Sequence, residues 1–201
     1  MKRKVHGWWF PDTDNACGEA VVADVAMIET LWLQHVPNRS ICVQAGGNCG
    51  VYPSKLSEHF EAVYTAEPDT ENFSCMALNA SKDRIYAFRA AFGAKPGTIG
   101  LHKVEGNAGA HWIAGKGTIP VITIDSLNLP ACDLIALDVE GAELIALQGA
   151  EATVKAFKPT IITEDKGHIS RFGQQPQELH RWLTERGYAN VAVAGRDRIW
   201  R

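Results

Sequence analysis

Residues 132–150 read CDLIALDVEGAELIALQGA. They open with an apolar run, Leu134 to Leu137, of the kind that a parallel sheet buries on both faces. Asp138 ends the run, and Glu140, Gly141 and Glu143 follow at a turn. From there the residues to 157 read as a helix. Strand, turn and helix in that order form half of a βαβ unit, so the fold depends on whether the pattern recurs.

It recurs on both sides. Upstream, SICVQAG (40–46) reads as a strand and YPSKLSEHF (52–60) as a helix. EAVYTAE (61–67) is a second strand, TENFSCMALNA (70–80) a second helix and DRIYAFRAAF (83–92) a third strand. Short β segments at 98–104 and 121–125 flank a glycine-rich loop, EGNAGAHWIAGKG (105–117). Downstream, PTIITED (159–165) is a strand, PQELHRWLTERG (176–187) a helix, and YANVAVAG with RDRIW a closing hairpin. Alternation over this length predicts an α/β fold: a doubly wound, Rossmann-like sheet, mostly parallel, with an antiparallel C-terminal edge. Val21, Val25, Ile28, Leu31 and Trp32 form a stripe at helical spacing, which predicts a helix over 19–36 that Pro37 stops. The division expected is an arm and helix over 1–40 covering the pocket, and a catalytic domain over 41–201.

The totals narrow the class. The chain has 201 residues, 46% apolar and 21% charged, enough for one good core. Its net charge of −3 lacks the basic footprint of a nucleic-acid binder. Five cysteines, an odd number with no CxxC pair, argue for reduced thiols rather than a zinc cage or disulfide framework. MKRKVHGWWFPDTD turns polar without an apolar core, so it is not read as a signal peptide. No apolar run reaches the ~18 residues of a membrane span. A cytoplasmic protein without membrane or nucleic-acid partners is expected; a homodimer stays open.

The turn after the first strand, VQAGGNCGVYPS (43–54), concentrates glycine where an open α/β sheet binds its ligand. Gly46, Gly47 and Gly50 let backbone approach a ligand closely, and the next helix offers free N–H groups. Glu67 stands at the end of the second strand, where a carboxylate accepts from both hydroxyls of a ribose. A tight βα turn beside a solvated Glu67 is the competing reading. The dinucleotide pattern G-x-G-x-x-G and the phosphate loop G-x-x-x-x-G-K-[ST] are both absent. A nucleoside with an amino-acid tail and no phosphates fits better, and S-adenosyl-L-methionine is that ligand. Asp138, on its apolar strand, is delivered to the same sheet edge. Glu140 and Glu143 also suit ordinary helix-start chemistry.

VQAGGNCGVY, AEP at 66–68, DLIALDVEGAELIALQGA and PTIITED together resemble the FkbM family of S-adenosylmethionine-dependent methyltransferases, in order and spacing from about residue 41 to 165. The Asp-x-Glu-Gly-x-Glu signature at 138–143 is the most specific element. The resemblance implies a class I methyltransferase fold and, mostly, O-methylation of small molecules, sugars or glycans. It implies a cofactor site of Gln44 at the strand end, Gly46, Gly47, Asn48, Gly50 and Tyr52 from the loop, Glu67 and Pro68 at the ribose, Ala91 and Phe92 of RAAFG at the adenine, and Asp138. Glu164 matches an acid at the end of the fifth strand. Two positions depart from the family: Gln44 stands where Asp is usual, and Ala136 where Lys is frequent.

Asp138 is the first candidate for the base that takes the acceptor's proton, with Glu140 and Glu164 behind it. Asn107, His111, Glu143 and His168 are expected on the acceptor side, although a lone histidine is more often simply packed or solvated. Clustered acids can hold Mg²⁺, but this spacing is not diagnostic and no metal ligand is assigned. Trp8, Trp9 and Phe10 either stack on the acceptor or pack the N-terminal arm. A degenerate domain that binds cofactor or glycan without turnover is the principal alternative. A nucleic-acid methyltransferase is less favoured, because acids follow strand four where a Pro-Pro-aromatic loop or a Pro-Cys nucleophile belongs.

Overall fold

The computed structural model describes residues 1–201. The chain opens with a hairpin of β1 (Lys2–Val5) and β2 (Trp8–Pro11), followed by helices α1 (Cys17–Asp24) and α2 (Met27–Thr30). Strand β3 (Ile41–Ala45), helix α3 (Val51–Leu56), β4 (Ala62–Ala66), α4 (Thr70–Asn79) and β5 (Ile85–Phe88) then alternate. Five short strands follow: β6 (Ala91–Phe92), β7 (Gly97–Ile99), β8 (Leu101–His102), β9 (Trp112–Ile113) and β10 (Ile119–Ile122). Strand β11 (Leu134–Leu137), helices α5 (Glu143–Gln148) and α6 (Glu151–Phe157), β12 (Thr160–Glu164), α7 (Pro176–Glu185), β13 (Asn190–Ala194) and β14 (Asp197–Trp200) complete it.

Seven strands form the main sheet, in the order β13-β14-β12-β11-β3-β4-β5. Strands β12, β11, β3, β4 and β5 pair in parallel, while β14 runs antiparallel to both neighbours. The chain travels outward from β3 to β5, then returns to place β11 beside β3. Between β3 and β11 the winding reverses, and at the carboxyl ends of these strands such a sheet leaves a crevice. The strand period of two divides the core. Val43, Ala45, Ile135, Leu137 and Ile161 pack with Leu144, Leu147 and Leu183 on one face. Cys42, Val63, Leu134, Ala136 and Ile162 pack with Ile28, Trp32 and Leu56 on the other. Central β11 is apolar throughout because both its faces are covered.

Four local expectations are refined or changed. The expected N-terminal arm takes the form of a hairpin over 2–11; His6 and Gly7 both take positive φ at its two-residue turn, which suits the twist of the strands. The expected helix over 19–36 breaks at Val25 and Leu31 and ends in a 3₁₀ turn at Trp32–His35. The break swings the Trp32 indole N–H to within 2.9 Å of an Asp197 carboxylate oxygen. The expected strand over 83–92 splits between the large sheet and a three-stranded one of order β6-β10-β7. The helix expected over 141–157 divides at Gly149 into α5 and α6. Asp125, from a distant loop, accepts from the Ala152 and Thr153 amides (3.0 and 2.8 Å) and so caps the second piece from outside.

Candidate active site

A cavity of about 720 Å³ opens at the carboxyl ends of β3, β4, β11 and β12, within the size range of small-molecule sites. The glycine turn forms one wall. Gly46 takes φ +78°, and a Cβ there would sit 1.9 Å from the Asp138 carbonyl oxygen. The close approach of the turns that follow the parallel neighbours β3 and β11 therefore demands this glycine. Gly50, expected to touch cofactor, does not line the cavity. It starts α3 with φ +89°, and a Cβ on it would meet Met76 at 2.9 Å. Gly46, Gly47, Asn48 and Tyr52 do line it.

Gln44 is buried at the cavity floor. Its amide donates to the Gly46 carbonyl (2.9 Å) and accepts from the Thr65 hydroxyl (2.6 Å), so a neutral side chain braces the turn without a charge. Glu67 is buried as well, 5% exposed, which removes the reading of a solvated acid. Its two oxygens accept from the amides of Asn48 and Asp69, each at 2.7 Å. Burial pushes this carboxyl up to about 7, with the two amides pulling against the rise. A carboxylate oxygen has a second lone pair, so these bonds fix Glu67 and leave it able to accept from a ligand. Pro68, Ala91 and Phe92 continue the same wall.

The loop between β8 and β9 closes another side. Asp69 caps α4 through the amides of Glu71 and Asn72, and its other oxygen meets Lys103 at 2.7 Å and His111 at 3.4 Å. Burial opposes the Asp69 charge, but His111 and Lys103 outweigh it and hold the carboxyl well below its usual range. His111 and Asn107 both line the cavity, although each is engaged: His111 with Asp69 and the Val104 carbonyl, Asn107 with the Gly109 amide at 3.0 Å. Trp112 is held between His102, stacked at 3.8 Å, and the Arg171 guanidinium at 4.3 Å. Trp8, Trp9 and Phe10 lie outside the cavity and pack with Cys17, Cys49 and Val51. The aromatic side chains that line it on the side of the N-terminal helices are Trp32 and Tyr52, with ring centres 5.5 Å apart.

Three acids of the lining gather near the ends of β11 and β12. Asp138, Glu140 and Glu164 bring carboxylate oxygens within 4.8 Å of one another. Glu140 takes φ +56°, a strained value for a residue with a side chain. It is 5% exposed and has three partners: the Lys166 ammonium at 2.7 Å, the His168 ring at 2.7 Å and the Arg171 guanidinium at 3.4 Å. Glu164 meets Lys166 at 2.5 Å. Burial and the neighbouring Asp138 push Glu164 up to about 9 against the pull of Lys166. Asp138 is the open member, with its side chain 57% exposed.

Glu143, expected on the acceptor side, is turned away from the cavity. It is buried and accepts from the Val139 and Gly141 amides at 3.3 and 3.1 Å, which holds the acidic turn in shape. Burial pushes it up to about 7. Lys166, Arg171 and Trp32 were not among the expected site residues. A single lysine after a strand has no distinguishing local pattern, and Trp32 read as core. The five cysteines are free and buried, and Cys17 lies on the cavity wall. No helix is long and apolar enough to cross a membrane.

The family model of the methyltransferase FkbM domain matches residues 48–189. Among solved structures, the fold is similar to that of methyltransferase FkbM from Methylobacillus flagellatus KT, with a TM-score of 0.56 and 19% identity over 85% of this chain and 46% of that one. The chain thus spans less than half the length of that protein. Similar folds occur in a ribosomal protein L11 methylase from Lactobacillus delbrueckii subsp. bulgaricus (TM-score 0.51, 11% identity, 89% and 75% covered). They also occur in the N-methyltransferase NodS from Bradyrhizobium japonicum WM9 (TM-score 0.51, 12% identity, 89% and 92% covered). No curated protein matches. At these identities the structural likeness is one of fold, that of the class I Rossmann-like methyltransferases.

Proposed function

Because the chain belongs to the FkbM methyltransferase domain family, we propose that it moves a methyl group from S-adenosyl-L-methionine to a hydroxyl oxygen of a small molecule or saccharide. One observation carries the reading: a single cavity is lined by a fixed, buried carboxylate, Glu67, and by an open one, Asp138. The donor set suits the cofactor. Glu67 retains lone pairs for two ribose hydroxyls, and Ala91 and Phe92 offer an apolar surface to a purine.

When bound, the sulfonium supplies an already activated methyl group. The remaining tasks are alignment and proton removal. Among the three acids only Asp138 suits the second. Glu140 is enclosed by Lys166, His168 and Arg171, and burial pushes Glu164 up, which disfavours the charged form that a base needs. Asp138 is therefore the base in this reading, and Glu140 acts through the groups it holds. The acceptor enters on the side of Trp32, Tyr52 and Asp24, where aromatic faces and a carboxylate suit a hydroxyl-rich molecule.

The test combines calorimetry with S-adenosylhomocysteine and transfer of a tritiated methyl group to panels of saccharides and phenols. Binding together with transfer supports an enzyme; binding without transfer on any panel supports a degenerate binder. Asp138→Asn should leave the dissociation constant within about two-fold and slow transfer by roughly 10²–10⁴. Equal rates would remove Asp138 from the chemistry.

A further inference from the structure

Three carboxylates, two from the turn after β11 and one from the end of β12, meet at one ammonium. Lys166 Nζ stands 2.5 Å from Glu164, 2.7 Å from Glu140 and 3.4 Å from Asp138. The oxygens lie close enough together to coordinate one divalent cation, but the lysine head already stands among them. Its side chain is only 19% exposed, so the charge is held inside the wall of the cavity rather than offered to solvent. Glu140 reaches this point through a left-handed backbone, a cost that its bonds to Lys166, His168 and Arg171 offset. Within β11 itself, position 136 is an apolar alanine packed in the core, so the cation must come from another element.

We propose that Lys166 is a positioning residue, a built-in counter-ion that takes the place of a divalent cation among Asp138, Glu140 and Glu164. It orients the Asp138 carboxylate toward the acceptor without a metal. Its ammonium offsets the mutual repulsion that would otherwise drive the acidic side chains apart. A compact point charge with three donors suits three carboxylates that converge from a turn and a strand end better than a planar fork. The significance for catalysis rests on the methyltransferase reading; the binding test below does not.

The probe is Mn²⁺ alone, followed by paramagnetic resonance and calorimetry on the full chain. The wild-type protein should bind it at this cluster only in the millimolar range. Lys166→Met should tighten binding at least ten-fold, a gain that mere loosening of the fold does not produce. Glu140→Gln in the Lys166→Met background should abolish the gain and so locate the ion, while Lys166→Arg should keep the cluster closed to Mn²⁺. Equal affinities in wild type and Lys166→Met, weak or strong, overturn the proposal. Should Lys166→Met fail to fold, the wild type decides: micromolar Mn²⁺ binding that Glu140→Gln removes overturns it, and its absence, with the cluster still closed in Lys166→Arg, supports it. If S-adenosylhomocysteine does not bind while the Mn²⁺ gain appears, the methyltransferase reading fails and the counter-ion stands.

Discussion

The sharpest consequence of the site concerns Glu67 and pH. In the free protein, burial raises this carboxyl from 4.5 to about 7, so near neutrality it is half protonated. Two ribose hydroxyls donating to it favour the charged form, so binding lowers its pKa and releases a proton. Hydrogen bonds to a charged group are worth about 1.5–3 kcal/mol. At 1.36 kcal/mol per unit, that is a fall of roughly one to two units on binding. The sign follows: below pH 7 the ligand must first displace a proton, and above it the site is already ionised. The dissociation constant should therefore fall about five- to ten-fold between pH 6 and pH 8, by the same linkage. Calorimetry with 5′-methylthioadenosine isolates the effect, because this ligand has no amino-acid tail to titrate. In buffers of different ionisation enthalpy at pH 6.5, roughly half a proton should leave per ligand bound. Glu67→Gln should weaken binding and flatten the profile. A wild-type affinity that is constant from pH 6 to 8, or a slope that persists in Glu67→Gln, refutes the ribose role.

Two further outcomes follow from the same geometry. Gly46→Ala combines φ +78° with a Cβ 1.9 Å from the Asp138 carbonyl oxygen, so it should cost at least about 2 kcal/mol of stability, read as a lower urea midpoint; an unchanged midpoint contradicts the close approach. Glu143 and Asp197 are raised by burial to about 7 and about 6, so the folded state holds protons that the unfolded state has released. Without ligand, stability should then drop by at least about 1 kcal/mol from pH 5.5 to 7.5, with Glu143→Gln reducing the drop; a midpoint that rises over this range reverses the sign.

Much of this molecule is legible in local pattern. The apolar run 134–137 announces a central strand because both of its faces are covered, and repeated strand–helix alternation leaves few topologies open. The closing hairpin, the acids at strand ends and the glycine turn all follow from short-range rules. Local pattern misled where distant residues intervened. The break before Trp32 answers to Asp197, 165 positions away, and the start of α6 answers to a cap at Asp125. Glu143 carries the same carboxylate as its neighbours, yet it is used to hold the turn.

By itself the sequence determined the winding of the sheet and the edge at which its acids emerge, because periodicity and chain connectivity are properties of order along the chain. Only the tertiary structure decided which acid stays open, which is enclosed and which is pushed up by burial. Those distinctions depend on burial and on angstrom-scale distances to cations such as Lys166 and Arg171, which lie far along the chain and meet the acids only once it has folded.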